Sequence, residues 1–242
     1  MASTALASPA LARDGQWYVE LQGGPMIAED TDFDFDLGDD NDSDADEAFS
    51  VDADDYGYDF GGLVGYDFGA FRMEAEAAFR EVDVVGVNAG GPNVRTSFNR
   101  RQSGNFDAAG DINALSFMVN GLVDFGPDDG LQGFAGGGVG VARTEFQATV
   151  DTRDSGIADD SDTGFAWQIL AGVRAPLTRT IDAGLRYRMF TAESLGVIDN
   201  DGIGLDGRLR SHSLLGTLTF NFGGEEEPVY VAPPVAAPVP AP

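Results

Sequence analysis

The sequence predicts an all-β fold: eight antiparallel strands wound up and down into a closed barrel that crosses a membrane. Three observations predict it. Apolar residues recur with a period of two in segment after segment, the spacing of a strand with two unlike faces rather than of a helix. The connections between these segments alternate between short and long. No stretch reaches the roughly 20 apolar residues that a membrane helix needs, whereas a barrel strand needs only about ten residues of alternating character.

The first two candidate strands, near 16–28 and 57–67, are rich in Gly and less regular. The third is the clearest. Phe71, Met73, Ala75, Ala77 and Phe79 alternate with Arg72, Glu74, Glu76, Ala78 and Arg80. Four charges on one face of a strand suit solvent or a polar lumen. In the fourth, Leu115, Phe117, Val119, Val123 and Phe125 alternate with Ser116, Met118, Asn120, Leu122 and Asp124. The fifth, near 131–146, is again Gly-rich. In the sixth, Phe165, Trp167, Ile169, Ala171 and Val173 alternate with Ala166, Gln168, Leu170, Gly172 and Arg174. In the seventh, Ile181, Ala183, Leu185, Tyr187 and Met189 alternate with Asp182, Gly184, Arg186, Arg188 and Phe190. In the eighth, Leu214, Gly216, Leu218, Phe220 and Phe222 alternate with Ser213, Leu215, Thr217, Thr219 and Asn221.

Short turns are expected at Asp67–Ala70, Gly126–Gly130 and Ala175–Thr180, and long polar loops at about 29–56, 84–110, 147–162 and 192–207. This sorting is the layout of a membrane barrel with periplasmic turns and extracellular loops, and an even strand count places both termini in the periplasm. Trp17, Tyr18, Tyr66, Phe68, Phe71, Phe125, Tyr187, Phe220 and Phe222 fall near strand ends, and Trp167 joins them as an interface aromatic, where girdles sit. The lipid-facing sets carry no charge in mid-strand, where one would cost about 2–4 kcal/mol. Arg143, Arg208 and Arg210 share the outward parity, but near the outer ends.

Composition narrows the function classes. With no Cys there is neither a disulfide framework nor a thiolate metal site. A single His, His212, excludes multi-His metal centres. The net charge of -27, with 14 basic residues that are all Arg, argues against nucleic acid as a partner.

The lumen of an eight-stranded barrel is just wide enough for side chains to fill. The predicted lumen set is Arg72, Glu74, Glu76, Arg80, Asp124, Arg174, Asp182, Arg186 and Arg188, nearly balanced in sign. It reads either as a permanent plug of paired charges or as a gate that opens a narrow water path by re-pairing. Carboxylates such as Glu74 and Glu76 resemble an acid–base pair, but the lumen pattern already explains them. From Glu29 to Asp59 there are 15 acids and no base. That segment reads either as a solvated, self-repelling loop or as a weak divalent site using Asp32, Asp34, Asp36, Asp40, Asp42 and Asp44, with Ca2+ the natural ion and no firm metal site or cofactor otherwise. The spacing departs from the helix–loop–helix calcium motif, because Leu37 stands where Gly is needed. Ser211-His212-Ser213 sets a base beside hydroxyls. Neighbours on a strand face opposite ways, and no acid follows in the strand to orient the imidazole, so no enzymatic activity is expected.

Taken in order, WYVELQGGP, GYDFGAFRMEAEAAFR, LQGFAGGGVGVAR, FAWQILAGVRAPLT, DAGLRYRMF and RSHSLLGTLTFNF make residues 13–224 resemble the outer membrane protein A family and its small-barrel relatives. The resemblance implies a Gram-negative outer-membrane location, lipid and lipopolysaccharide contacts, and insertion by the outer-membrane assembly machinery, which reads an aromatic-ended last strand such as the one closing on Phe222. It implies a structural role, anchoring the outer membrane and supporting envelope integrity. The alternatives are a narrow porin-like channel for small solutes or ions, and an adhesin or receptor working through the loops. Residues 1–12 end in Ala10-Leu11-Ala12 and read as a signal-peptide remnant. Residues 225–242 read as a Pro/Ala-rich periplasmic linker, leading in the family to an absent peptidoglycan-binding domain.

Overall fold

The computed structural model describes residues 15–29, 31–35, 49–53, 56–95, 101–127, 130–150, 156–198 and 204–222. The regular elements in them are all strands. They are β1 (Gln16–Ala28), β2 (Thr31–Phe35), β3 (Phe49–Ala53), β4 (Gly57–Asp67) and β5 (Phe71–Arg95). β6 (Arg101–Phe125), β7 (Gln132–Val150), β8 (Gly156–Pro176), β9 (Ile181–Ile198) and β10 (Gly204–Phe222) follow. β1 pairs antiparallel with β4, β4 with β5, each strand from β5 to β10 with the next, and β1 with β10, so the sheet closes into a barrel with no free edge through its lower part.

Ten strands make eight staves. β1 accompanies β10 as far as Ala28 opposite Ser211, and β2 then takes over beside Gly207, Asp206 and Leu205. β4 pairs with β5 from Asp67 to Tyr58, and β3 takes over opposite Val84–Asn88. The acidic first connection therefore holds two strands where the sequence suggested only a loop. The other long connections are shortened in the same way: β5 and β6 run on to Arg95 and Arg101, β7 and β8 to Val150 and Gly156, and β9 and β10 to Ile198 and Gly204. Their ladders continue because each arm already has a registered partner, so every added residue pair gains backbone hydrogen bonds without a new closure. The signal was legible in Thr31–Phe35, where Phe33 and Phe35 alternate with Asp32 and Asp34.

The short turns lie at one end. Gly69 adopts φ 98° and Gly126 φ 108°, backbone that L side chains rarely adopt. The Gly69 amide donates to Asp67 Oδ1 at 2.8 Å, closing the turn into β5. Around this end Trp17 packs edge-on to Tyr66 at 5.1 Å, Tyr66 meets Phe68 at 4.6 Å, and Phe68 stacks on Phe71 at 4.5 Å. An exposed apolar belt rises from this girdle over the outer wall, through Leu21, Val64, Met73, Val119, Ile169, Leu185 and Leu218. Tyr18 departs from the expected girdle. It is 1% exposed and projects into the lumen, because it alternates with Trp17 and Val19.

Candidate functional site

The inward faces of β1, β4, β5, β6, β8 and β9 bring together every residue of the predicted lumen set. Nearest the turns, Arg72 Nε donates to Asp124 Oδ2 at 2.8 Å, and Arg174 lies 3.1 Å from Asp67 and 3.6 Å from Asp124 while also bonding Gln132. Asp182 accepts from Asn221 at 3.0 Å. One layer up, Arg186 donates to both Glu74 oxygens at 2.9 and 3.2 Å and reaches Glu20 at 2.9 Å. Glu74 also accepts from the Tyr18 hydroxyl at 2.9 Å. Glu76 pairs with Arg188 at 2.9 Å and accepts from Asn120 and Gln168. Higher still, Asp59 accepts from Arg188 and Ser213, and Arg80 lies 3.3 Å from it. The Arg80 guanidinium rests on the Phe190 ring at 3.8 Å. Each arginine thus meets acceptors on several strands, the use to which a planar five-donor fork is suited.

Sequence parity alone missed three acids of this network: Glu20, Asp59 and Asp67. They lie on β1 and β4, whose Gly-rich runs blur the alternation. Counting them, seven carboxylates face five guanidiniums, and all twelve side chains are buried. The β4 glycines have a use here. A Cβ on Gly65 would sit 2.2 Å from Tyr18 Cζ, so Gly65 makes the space through which Tyr18 reaches Glu74.

The rest of the lumen mixes uncharged polar side chains, such as Gln22, Ser116, Thr144 and Thr217, with apolar ones. Leu122, Phe134 and Leu170 form a buried cluster on the β6–β8 side. Above the charges, Met26, Val82, Ile112, Ala142, Phe190 and Leu209 close the interior.

A second cluster stands on the outer wall at the far rim. His212 Nε2 is 2.7 Å from Glu29 Oε1, and His212 Nδ1 is 2.8 Å from the Tyr187 hydroxyl. An ionised carboxylate only accepts, so Nε2 donates to Glu29, while Nδ1 shares a hydrogen bond with the Tyr187 hydroxyl. Arg210 Nη1 lies 3.6 Å from Glu29 Oε2. The His212 hydrogen bond, aided by the charges of Arg210 and Arg208, holds the Glu29 carboxyl below its ordinary range. This amends the sequence reading, which found no acid to orient the imidazole: the acid comes from the neighbouring stave, just past β1. Ser211 and Ser213 point away from it, into the lumen.

The interface aromatics divide between the two ends of the belt. Trp17, Tyr66, Phe68, Phe71, Phe220 and Phe222 belong to the turn end, whereas Trp167 and Tyr187 stand towards the rim, Trp167 Nε1 donating to Glu193 at 2.9 Å. Of the divalent-cation candidates, Asp32 and Asp34 contribute backbone to β2, and Asp36, Asp40, Asp42 and Asp44 lie outside the described residues.

A family model described as outer membrane protein beta-barrel domain matches residues 1–222. Among solved structures, the chain is similar to the outer membrane protein OprG from Pseudomonas aeruginosa, at 14% identity and a TM-score of 0.51, covering 86% of this chain and 96% of that one. It is also similar to Neisserial surface protein A, at 16% identity and a TM-score of 0.46, covering 85% and 97%. A third is the outer membrane protease OmpT from Escherichia coli, at 8% identity and a TM-score of 0.49, covering 90% and 100%. At such identities the likeness is one of fold. No curated protein sequence matches the chain.

Proposed function

The chain belongs to the outer membrane protein beta-barrel domain family, and from that premise we propose that it is a non-enzymatic structural barrel that anchors the outer membrane, with both termini on the periplasmic side. The observation that carries this reading is the filled lumen. Arg72, Arg186, Arg188 and Asp59 are 0% exposed, although they lie across the barrel axis along which a solute would pass. Opening that route means separating desolvated charges from their partners, and breaking one buried pair costs about 3–5 kcal/mol. The orientation of the termini is supported by the even number of staves and by Trp17 pairing with Phe222 at the short-turn end. The absence of catalysis is supported by the direction of Ser211 and Ser213, which leaves His212 without a serine nucleophile.

One observation favours a second reading, a narrow cation-preferring pore: the lumen holds seven carboxylates to five guanidiniums, and such a lining attracts cations over anions.

Single-channel recording of the refolded chain in a planar bilayer separates the two. The anchor gives no steps, or rare small ones. Steady conductance with a cation-selective reversal potential overturns it, and Arg72→Ala or Glu76→Ala then changes both conductance and selectivity.

A further inference from the structure

At the turn end every stave is paired on both sides, and within each hairpin the pairing runs upward to the tip. β7 and β8 stay in register as far as Thr149 opposite Gly156, and β9 and β10 as far as Ile198 opposite Gly204. The ladder between these two hairpins stops sooner. β8 and β9 pair from Pro176 opposite Asp182 up to Ala166 opposite Ala192, and no further among the described residues. Both strands run on, β8 from Phe165 to Gly156 and β9 from Glu193 to Ile198. Trp167 donates to Glu193 at 2.9 Å at the foot of the seam. The ladder between β6 and β7, by contrast, holds to Val150 at the end of β7. Among the described residues, then, the wall parts here between two strands that both continue. Each edge turns the N–H and C=O of every second residue away from its own partner and into the seam.

The two edges are acidic. Gly156–Phe165 holds Asp159, Asp160 and Asp162, Glu193–Ile198 holds Glu193, and neither segment has a base. The bases on the flanking strands have acids of their own. Arg143, which also donates to Ser161 at 3.2 Å, lies 3.1 Å from Glu145. Arg210 lies 3.6 Å from Glu29, and Arg208 stands at the β10 irregularity across from Glu193. With Glu193 set against Arg208, the aspartates of β8 still leave the seam negative.

We propose that the β8 edge above Ala166 is a docking site for an extended, basic segment of a partner protein, which joins the sheet as a further strand. In such strand addition the backbone hydrogen bonds supply affinity and the side chains supply selection. Opposite charges across a strand pair attract and like charges repel, so the aspartates favour a basic strand. They disfavour a second copy of this chain, because β8 against β8 sets three aspartates against three. The proposal rests on the orientation argued above, which turns the seam to the cell exterior.

The test uses the folded barrel in lipid nanodiscs. Both ends of the barrel meet water there, so a failure to bind counts against the seam and not against the orientation. Three fluorescent peptides are titrated by anisotropy, with empty nanodiscs as the lipid background. One alternates Arg with Thr or Val, one is the same peptide N-methylated on all its backbone nitrogens, and one has the sequence of Gly156–Phe165. The first is expected to bind saturably, and the third to bind far more weakly. N-methylation weakens binding at least about tenfold, because it removes the strand's donors and keeps its charge. Asp159→Asn/Asp160→Asn/Asp162→Asn weakens it about five- to tenfold. Hydrogen exchange at Gly156–Phe165 slows in the complex. No saturable binding of the basic peptide, equal binding of its N-methylated form, or indifference to the three Asn substitutions overturns the proposal. So does protection confined to other strands. Stronger binding of the Gly156–Phe165 peptide makes a second copy the occupant and overturns it too. Orientation fails separately: if labelling of intact cells reaches the short-turn end instead of the seam, the exterior placement falls while the strand-addition site stands.

Discussion

Arg186 and Arg210 each face a glutamate, and the two pairs stand under opposite conditions. Arg186 is 0% exposed and meets Glu20, Glu74 and Glu76 in the middle of the lumen. Arg210 stands on the outer rim, where the Glu29 side chain keeps 45% of its exposure. Charges out of water are poorly screened and expensive to leave alone. Charges at the surface are screened by solvent and salt and hold each other weakly. The same chemistry therefore differs in strength: inside it fixes which staves face each other, and outside it holds its partners only weakly.

The sharpest way to break this contrast is Arg186→Met. It removes the cation that Glu20, Glu74 and Glu76 share, leaving Glu74 to Arg72 and Glu76 to Arg188, and the expected loss is about 3–5 kcal/mol, read by urea unfolding in lipid vesicles. Arg186→Met combined with Glu74→Gln recovers part of that loss, because one of the under-compensated charges goes with it. Arg210→Met on the rim costs at most about 1 kcal/mol. Equal losses for the two arginines would show that the lumen is wetter than its burial implies.

A smaller effect tests the space around the network rather than its charge. Gly65→Ala puts a Cβ against the Tyr18 ring and pushes its hydroxyl off Glu74. Overpacking of this kind costs about 1–3 kcal/mol. Gly121→Ala, also in mid-sheet, meets nothing within 4 Å and leaves stability unchanged in the same assay. A Gly65→Ala barrel as stable as Gly121→Ala would mean that Tyr18 has room to move.

The eight staves were legible because alternation is a local signal. In Phe71–Arg80 and Ile181–Phe190 it also named which arginines and acids share the lumen. What it could not give was partners. Arg186 is 112 residues from Glu74, and only the register of closed staves sets them in one layer. Nor could it place Glu20, Asp59 and Asp67, since the glycines of β1 and β4 that admit large neighbours also erase the pattern. The rim cluster was harder still. Glu29 and His212 are 183 residues apart and meet because closure sets β1 against β10, so a search along the strand for an acid to orient His212 looks in the wrong direction.

The smallest expected effect concerns the rim carboxylate itself. Glu29 has its carboxyl pKa lowered, chiefly by the hydrogen bond from His212 and further by Arg210 and Arg208. A carboxyl whose folded pKa lies below its unfolded value binds fewer protons when folded. Its contribution to stability is therefore complete above the ordinary carboxylate range and is lost as the pH falls through that range towards the folded value. On so exposed a group the stability change is slight, and the titration itself is the better measurement. Followed through its carboxyl carbon resonance in lipid, Glu29 stays ionised while free glutamate side chains protonate, and His212→Gln moves its midpoint back up towards theirs. A Glu29 that titrates with the ordinary glutamates in the unmutated barrel would mean that the rim pair does not persist in the bilayer, and that β10 presents its arginines without an internal counter-ion.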